Sequence, residues 1–519
     1  MNVHKIKILW ADDEIDLLKP HIIFLEQKGY EVVTVKSGNE ALDELALQNF
    51  DIVFLDENMP GLTGLETINR IKKEYATIPL VMITKSEEEH IMENAIGTNI
   101  NDYLIKPVNP HQILHCLKKH TENQRIFSEK STSDYQQQFR SISMRLMDRM
   151  NSAEWISMYK ELTYWDMELG KNNDPNIKEI LHSQIAEANN LFCKFITQNY
   201  VDWLNNQGNE KVSMSHTILK DKVFPAISKD QPTYLILIDN LRYDQWKIIQ
   251  PSLSEYFHIE KEDLYYSILP TATQFARNAL FAGLMPSEIA KKYPQYWVNE
   301  NEEGNKNDHE HQLLDEYLKR YGINIKHSYS KVLNADFARK IYENLPNTLQ
   351  TPLNVLIYNF VDMFSHAHTD VDIVRELAND EASYRSVTLS WFEHSPLLDV
   401  LKYLASKKAK VFISTDHGSI RIQNPVKILG DRDTSTNLRY KVGKNLNFSS
   451  KDIFSVSNPQ DIYLPKLNVS SKYVFASSYD FFVYPNNYNY HVNYYKDTFQ
   501  HGGISMEEVL IPFITLTAK

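Results

Sequence analysis

The amino-acid sequence predicts a multidomain α/β protein, and three observations carry that expectation. Near the start, and again from Pro232 onward, short apolar runs ending in acids alternate with stretches of helical periodicity, the pattern of a parallel sheet flanked by helices. Between them, residues 121 to about 205 read as helix alone. At 519 residues the chain is also too long for one core, and about 150 residues per domain gives about three units. The expected units are 1–120, 121–208 and 209–519.

Composition narrows the function classes. With 42% hydrophobic and 24% charged residues, every unit can bury a core. A formal net charge of -12 has the wrong sign for a protein whose main task is to coat duplex nucleic acid, although a local basic groove stays open. Cys116 and Cys193 are far apart and each falls on an apolar helical pattern, so both read as small buried hydrophobes and not as a disulfide or thiolate metal site. No apolar run approaches the roughly 18 residues of a membrane span, and the residues from Met1 to Glu14 form a strand without a cleavable apolar region. The expectation is a cytoplasmic protein without membrane insertion.

In the first 120 residues, the run Ile6 to Ala11 stops at Asp12-Asp13-Glu14, ahead of a helical pattern in Leu17, Leu18, Ile22 and Leu25. A second run, from Asp51, ends in Asp56 and leads into Met59-Pro60-Gly61 and a turn at Gly64. Leu80 to Ile83 ends in Thr84, and Asp102 to Ile105 ends in Lys106-Pro107. Parallel sheets gather their sites at the carboxyl ends of the strands, so these four ends converge. Asp12, Asp13 and Asp56 offer hard oxygen ligands for Mg2+. Asp56 is the carboxylate placed to accept a phosphoryl group, Thr84 can hydrogen-bond the new phosphate oxygens, and Lys106 can pair with their charge. This ordered set resembles the CheY-like receiver domain, a flavodoxin-like fold, along residues 1 to 120. The resemblance implies a cis bond after the lysine and an aromatic switch at Tyr103 that moves inward on phosphorylation. It also implies a sensor histidine kinase as phosphate donor and an output domain downstream.

The middle stretch carries apolar faces at Phe139, Ile142, Leu146 and Met150, and at Trp155, Tyr159 and Leu162. Asp174-Pro175 opens a third helix through Ile180, Leu181, Ile185, Ala188, Leu191, Phe192 and Phe195. Between 121 and 210 stand 9 Lys/Arg and 13 Asp/Glu without a basic stripe, which argues against a DNA-binding helix-turn-helix. The expectation is a helical bundle connector that docks on the first domain and relays its state.

From Pro232 the acids return to strand ends. Tyr234 to Ile238 leads to Asp239, and Asn354 to Val361 leads to Asp362 with His366 four residues on. Ala409 to Thr415 leads to Asp416-His417-Gly418, and Gln500-His501-Gly502-Gly503 precedes Glu507, Glu508 and a strand from Val509 to Phe513. Three acids and three histidines form a mixed oxygen and nitrogen set that suits Zn2+ or Mn2+ better than Mg2+. Two such ions can hold the attacking and leaving oxygens of a phosphoryl displacement. Leu269 to Gln274 offers two threonines, Thr271 and Thr273, just before a helix.

These motifs resemble the PglZ branch of the alkaline phosphatase superfamily over about residues 230 to 519. The resemblance implies one metal on Asp239, the nucleophilic threonine, Asp416 and His417, and a second on Asp362, His366 and His501. In that family a Gly-Leu-x-Pro follows the nucleophile by ten residues, and Gly283-Leu284-Met285-Pro286 stands at that interval from Thr273. Thr273 is therefore the expected nucleophile, with Thr271 as the alternative. A side-chain amide that many relatives aim at the transition state has no clear counterpart; Arg242, Arg277 and Asn278 are the candidates, while His309, His311 and His368 are expected at the surface. Receiver, helices and PglZ domain together resemble the PorX-type response regulators. That likeness implies hydrolysis of phosphodiester bonds in short linear or cyclic oligonucleotides, phosphorylation-promoted homodimers, and links to a sigma factor, type IX secretion and gliding. The residues alone leave phosphomonoesterase or sulfatase chemistry open, as well as a non-catalytic scaffold whose phosphorylation controls dimerisation. Tyrosines between 462 and 495 could stack bases, or form an aromatic-rich lid or a dimer contact.

Overall fold

The computed structural model describes residues 5–75, 78–85, 100–171, 175–207, 210–300, 302–431, 434–448 and 453–519, with the side chains of 122–130 and 335 outside the description. The chain packs as two compact units, Met1–Asp134 and Tyr135–Lys519.

In the first unit, β1 (Lys7–Ala11), β2 (Glu31–Val35), β3 (Ile52–Asp56), β4 (Leu80–Thr84) and β5 (Asp102–Ile105) form a parallel sheet in the order β2-β1-β3-β4-β5. Successive side chains of a strand point to opposite faces. Leu9, Val53, Leu55, Leu80 and Met82 accordingly enter one apolar core, and Ile8, Trp10, Ile52, Phe54, Val81 and Ile83 enter the other. Both faces are covered, which is why these strands read as unbroken apolar runs. Thr63 and Glu66 close a capping box on α3 (Gly64–Glu74), which follows α1 (Lys19–Gln27) and α2 (Gly38–Leu47). Pro110 starts α4 (Pro110–Leu117), and the Lys106–Pro107 bond is cis.

The helical stretch is α5 (Asn123–Met147), α6 (Ser152–Gly170) and α7 (Pro175–Leu204). Asp174, expected as a cap, and the 208/209 boundary lie outside the described residues. Trp155, Tyr159, Leu162, Leu181, Ala188, Phe192 and Cys193 join the large core that continues through the rest of the second unit. Ile180, expected on the apolar face, is 46% exposed, because the next residue, Leu181, turns about 100° further round the helix and takes the core position.

The C-terminal sheet contains β6 (Thr233–Ile238), β7 (Phe257–Tyr266), β8 (His327–Val332), β9 (Leu353–Tyr358), β10 (Lys410–Ser414) and β11 (Leu510–Ala518), in the order β7-β11-β10-β6-β9-β8. From β10 to β8 the strands are parallel, and β11 runs antiparallel to both β10 and β7. All six residues of β6 and of β9 are buried. The run expected as a strand up to Val361 stops earlier: β9 ends at Tyr358, and Asp362 stands in the first turn of a helix, α11 (Phe360–Asp370). Asp362 and His366 therefore share a helical face as an i, i+4 pair.

Helix α8 (Tyr243–Leu253) precedes β7, and α9 (Thr273–Ala282) ends at Gly283, whose φ of +57° is left-handed. A Cβ added there would stand 2.1 Å from the Tyr317 ring on α10 (Glu310–Arg320). Gly283→Ala is expected to cost about 1–2 kcal/mol from the left-handed backbone alone, with ring displacement adding to it. The check is a lowered thermal midpoint for the C-terminal transition.

Candidate functional site

At the carboxyl edge of the first sheet, one ligand atom from each of Asp12, Asp13 and Asp56 lies within 4.8 Å of the others. Asp12 and Asp56 are buried and Asp13 is exposed. Lys106 Nζ reaches Asp12 Oδ2 at 2.9 Å and Asp56 Oδ1 at 2.5 Å, so one ammonium bridges two carboxylates. Burial pushes the Asp56 carboxyl above its ordinary range, with Lys106 working against it. Thr84 is buried and donates its hydroxyl to Glu57, while Tyr103 is 38% exposed.

In the C-terminal unit two donor groups adjoin. Asp239, Asp416 and His417 form one, and Asp362, His366 and His501 the other. The two are linked by the rings of His417 and His501, stacked at a centroid distance of 4.2 Å. His417 Nε2 stands 3.8 Å from both Asp239 Oδ1 and Asp416 Oδ2. Asp362 faces His366 Nε2 at 3.5 Å with Oδ2 and His501 Nε2 at 3.6 Å with Oδ1. These separations are too long for hydrogen bonds, whereas two ligands of one tetrahedral Zn2+ stand roughly 3.3–3.6 Å apart.

Three further observations show that the donor set fits divalent metal ions. Asp239 Oδ1, Asp362 Oδ1 and Asp416 Oδ2 are buried without a hydrogen-bond partner among the described residues. Nδ1 of His417 bonds to the Gly418 carbonyl, and Nδ1 of His501 to the Thr271 carbonyl, both at 3.2 Å, which leaves each Nε2 facing the carboxylates. Burial pushes His417 down to about 4 and His501 well below the imidazole range, so both rings carry a free lone pair at neutral pH. Burial, with Asp239 nearby, pushes Asp362 and Asp416 well above the carboxylate range. Against the pull of burial, Arg277 holds Asp239 below that range, through a 2.7 Å contact to Oδ2.

Thr273 is the first residue of α9, and its hydroxyl lies 3.0 Å from His417 Nε2. Thr271, the alternative, is fully buried: its hydroxyl donates to the Gly503 carbonyl at 2.9 Å and accepts from the Gly502 amide at 3.1 Å. It is a strut for the His501 loop.

The surrounding residues place these groups. A Cβ at Gly418 would lie 2.0 Å from the Glu507 carbonyl oxygen, so only glycine allows the Asp416-His417 turn to approach that closely. Glu508 accepts from the Gly503 amide at 2.9 Å and pairs with Arg439 at 2.6 Å, both side chains being wholly buried. From α7, Tyr200 accepts the Leu269 amide at 2.8 Å, Asn189 accepts the Met506 amide at 2.8 Å, and Cys193 contacts the Ile504 carbonyl at 3.0 Å. The helices thus brace both loops of the site.

The candidates for a transition-state amide are otherwise engaged. Arg242 is bound to Asp244 and Glu381, and Asn278 donates to the Gln274 and Lys306 carbonyls at 2.9 Å. Arg277 divides itself between Asp239 and Glu310, both at 2.7 Å. Sequence reasoning missed Glu310, Arg439 and Asn307, whose amide donates to the Thr273 carbonyl at 3.0 Å. None carries a local motif. His368 was expected at the surface but is 1% exposed, bonded to the Ala378 carbonyl and packed on Phe499. Of the tyrosines, Tyr473 is buried in the core and Tyr490 is 64% exposed.

The strand order, the acid and lysine cluster and the paired donor groups define a class of protein: a response regulator with an alkaline phosphatase-like output domain. Family models match in three consecutive blocks: a response regulator receiver domain over residues 8–118, the PorX response regulator linker domain over 125–204, and the BREX system PglZ alkaline phosphatase-like domain over 218–516. The last match spans more than half of the chain, so the chain belongs to the PglZ family, in the arrangement of a PorX-type regulator.

Curated relatives include the transcriptional regulatory protein ResD of Bacillus subtilis, 31% identical over 112 residues, which are 22% of this chain and 46% of ResD. The sensor kinase/phosphatase CqsS of Vibrio cholerae is 33% identical over 115 residues, 22% of this chain and 17% of CqsS. The chain thus spans less than half the length of these relatives. Among solved structures, chemotaxis protein CheY4 of Vibrio cholerae is 30% identical, covering 22% of this chain and 98% of that one, with a TM-score of 0.22. A receiver implies a phosphodonor sensor kinase as partner. No helix of the described residues is long and apolar enough to cross a membrane.

Arg439→Met leaves the Glu508 carboxylate buried without its partner. It is expected to destabilise the C-terminal unit by about 3–5 kcal/mol, read from the shift of its unfolding transition.

Proposed function

We propose that the chain is a cytoplasmic two-component regulator, phosphorylated on Asp56, whose output is a two-metal phosphodiesterase acting on short linear or cyclic oligonucleotides. The observation that carries this reading is the hydroxyl of Thr273, set at a helix N-terminus 3.0 Å from His417 Nε2, the nitrogen that faces Asp239 and Asp416 oxygens without a hydrogen-bond partner among the described residues. The PglZ and PorX-type family matches support the same assignment.

Asp239, Thr273, Asp416 and His417 would hold one divalent cation, and Asp362, His366 and His501 the other; Zn2+ suits the set, with Mn2+ as the alternative. Bound there, the two cations supply positive charge that favours the ionised threonine hydroxyl and the departing oxygen. Thr273 Oγ gives up its proton to water and attacks phosphorus, the bond to the leaving oxygen breaks as that oxygen takes up a proton from water, and the phosphate, still esterified to the remaining nucleotide, rests on the threonine. Water then attacks phosphorus and frees Thr273. The first amides of α9 face the phosphate oxygens, and Arg277 keeps Asp239 ionised throughout. In the receiver, Asp12, Asp13 and Asp56 would hold Mg2+, while Lys106 and Thr84 receive the charge of the new phosphate and Tyr103 turns inward.

The likeness to PorX-type regulators supports the wider assignment: phosphorylation promotes a homodimer, and the output bears on a sigma factor, type IX secretion and gliding. The competing reading is a scaffold whose metal domain only binds.

With metal-loaded protein and a panel of linear and cyclic oligonucleotides, Thr273→Val is expected to reduce diester hydrolysis by at least about a thousandfold while retaining its metals. Equal turnover by both proteins sinks the nucleophile assignment. Absence of turnover in both, with metals bound, returns the scaffold. An acyl phosphate donor is expected to shift the wild type toward dimer in light scattering and to leave Asp56→Asn monomeric.

A further inference from the structure

Among the described residues, a third convergence of nitrogen and oxygen donors lies apart from the two groups of the phosphodiesterase site. Helix α10 carries His311 and Asp315, four residues apart and therefore on one face, and β8 begins at His327. One ligand atom from each of the three lies within 4.8 Å of the other two.

Two features separate this group from an ordinary surface ion pair. His327 Nε2 stands 3.0 Å from Asp315 Oδ1, within ion-pair distance, yet is buried and makes no aligned hydrogen bond. The His327 side chain is also only 10% exposed. Burial holds His327 below the ordinary imidazole range, so it is neutral near pH 7. The His311 ring lies edge-on to His327 at 5.2 Å and stacks on Tyr329 at 5.6 Å and 9°, which fixes its plane. In the receiver, Asp102, Cys116 and His120 also converge, but Lys119 already occupies Asp102 at 2.9 Å and burial pushes the Cys116 thiol up to about 12.

We propose that His311, Asp315 and His327 form a third divalent transition-metal site, with the remaining coordination positions open to water. Two imidazoles and one carboxylate suit Zn2+ and are a poor match for Mg2+ or Ca2+, which prefer all-oxygen shells. An ion there ties α10 to β8 immediately after Glu310, the residue that shares Arg277 with Asp239. His311 is exposed, so the site is reachable from solvent.

The test is a metal count on the full chain, equilibrated with Zn2+, passed over a chelating resin and measured by elemental analysis. Wild type is expected to retain one zinc equivalent more than His311→Ala and one more than Asp315→Asn. The X-ray absorption of the extra zinc should fit nitrogen and oxygen neighbours only. Both substitutions are outside the core, and melting curves of the metal-free proteins verify that the variants fold. His327→Gln serves as a third variant in which the buried ring is removed. Equal zinc in wild type and folded variants overturns the proposal, as does a difference that appears only with zinc in large excess.

Discussion

Asp239 and Asp416 are buried beside the half-buried Asp362 with one guanidinium among them, and Glu310 takes half of that guanidinium. Burying an ionised carboxylate costs several kcal/mol unless a partner offsets it, so the group is short of positive charge as it stands. The rest of the C-terminal unit is arranged to hold these acids together in spite of that cost. Buried strands β6 and β10 deliver Asp239 and Asp416 from adjacent positions in the sheet, and α11 brings Asp362 across from β9. The receiver meets the same difficulty with a side chain of its own, Lys106, which bridges Asp12 and Asp56. One sheet therefore carries its countercharge in a side chain of its own, while the acids of the other are grouped with histidine nitrogens, a donor set that fits divalent cations.

Much of this was legible in the sequence because strand ends announce themselves. In β3 and β6 an unbroken apolar run stops at a carboxylate, and a doubly covered parallel strand cannot be written in many other ways. The pair Asp362 and His366 was found through its spacing, although the run before it was read three residues too long; Asn359 ends the strand and the spacing turns out to be helical. What stayed hidden were residues whose role depends on distant partners. Glu310 is defined by Arg277, Arg439 by Glu508, and Asn307 by a backbone carbonyl 34 residues away. His368 was misplaced for the same reason, since its burial comes from Tyr384 and Phe499, far along the chain.

Chemistry and support also divide differently along the chain. The donor groups of the candidate site come from short motifs, most of them within a few residues of a strand end. The support comes from elements that carry no motif: α7 accepts or donates hydrogen bonds at Leu269, Ile504 and Met506. Such contacts cost little sequence specificity individually, yet together they fix where Thr273 and His501 stand.

The shared core of α6, α7 and the C-terminal sheet has a consequence for how this chain could be rearranged. A modular view would treat the helices as an exchangeable spacer and splice a new input domain at the start of the catalytic fold. Such a graft would discard Asn189, Cys193 and Tyr200 with the spacer and strip both loops of their backing, while exposing the apolar face that Phe192 and Trp155 now cover. The transplantable cassette begins at Tyr135, and in shuffling domains between regulators the helices travel with the output.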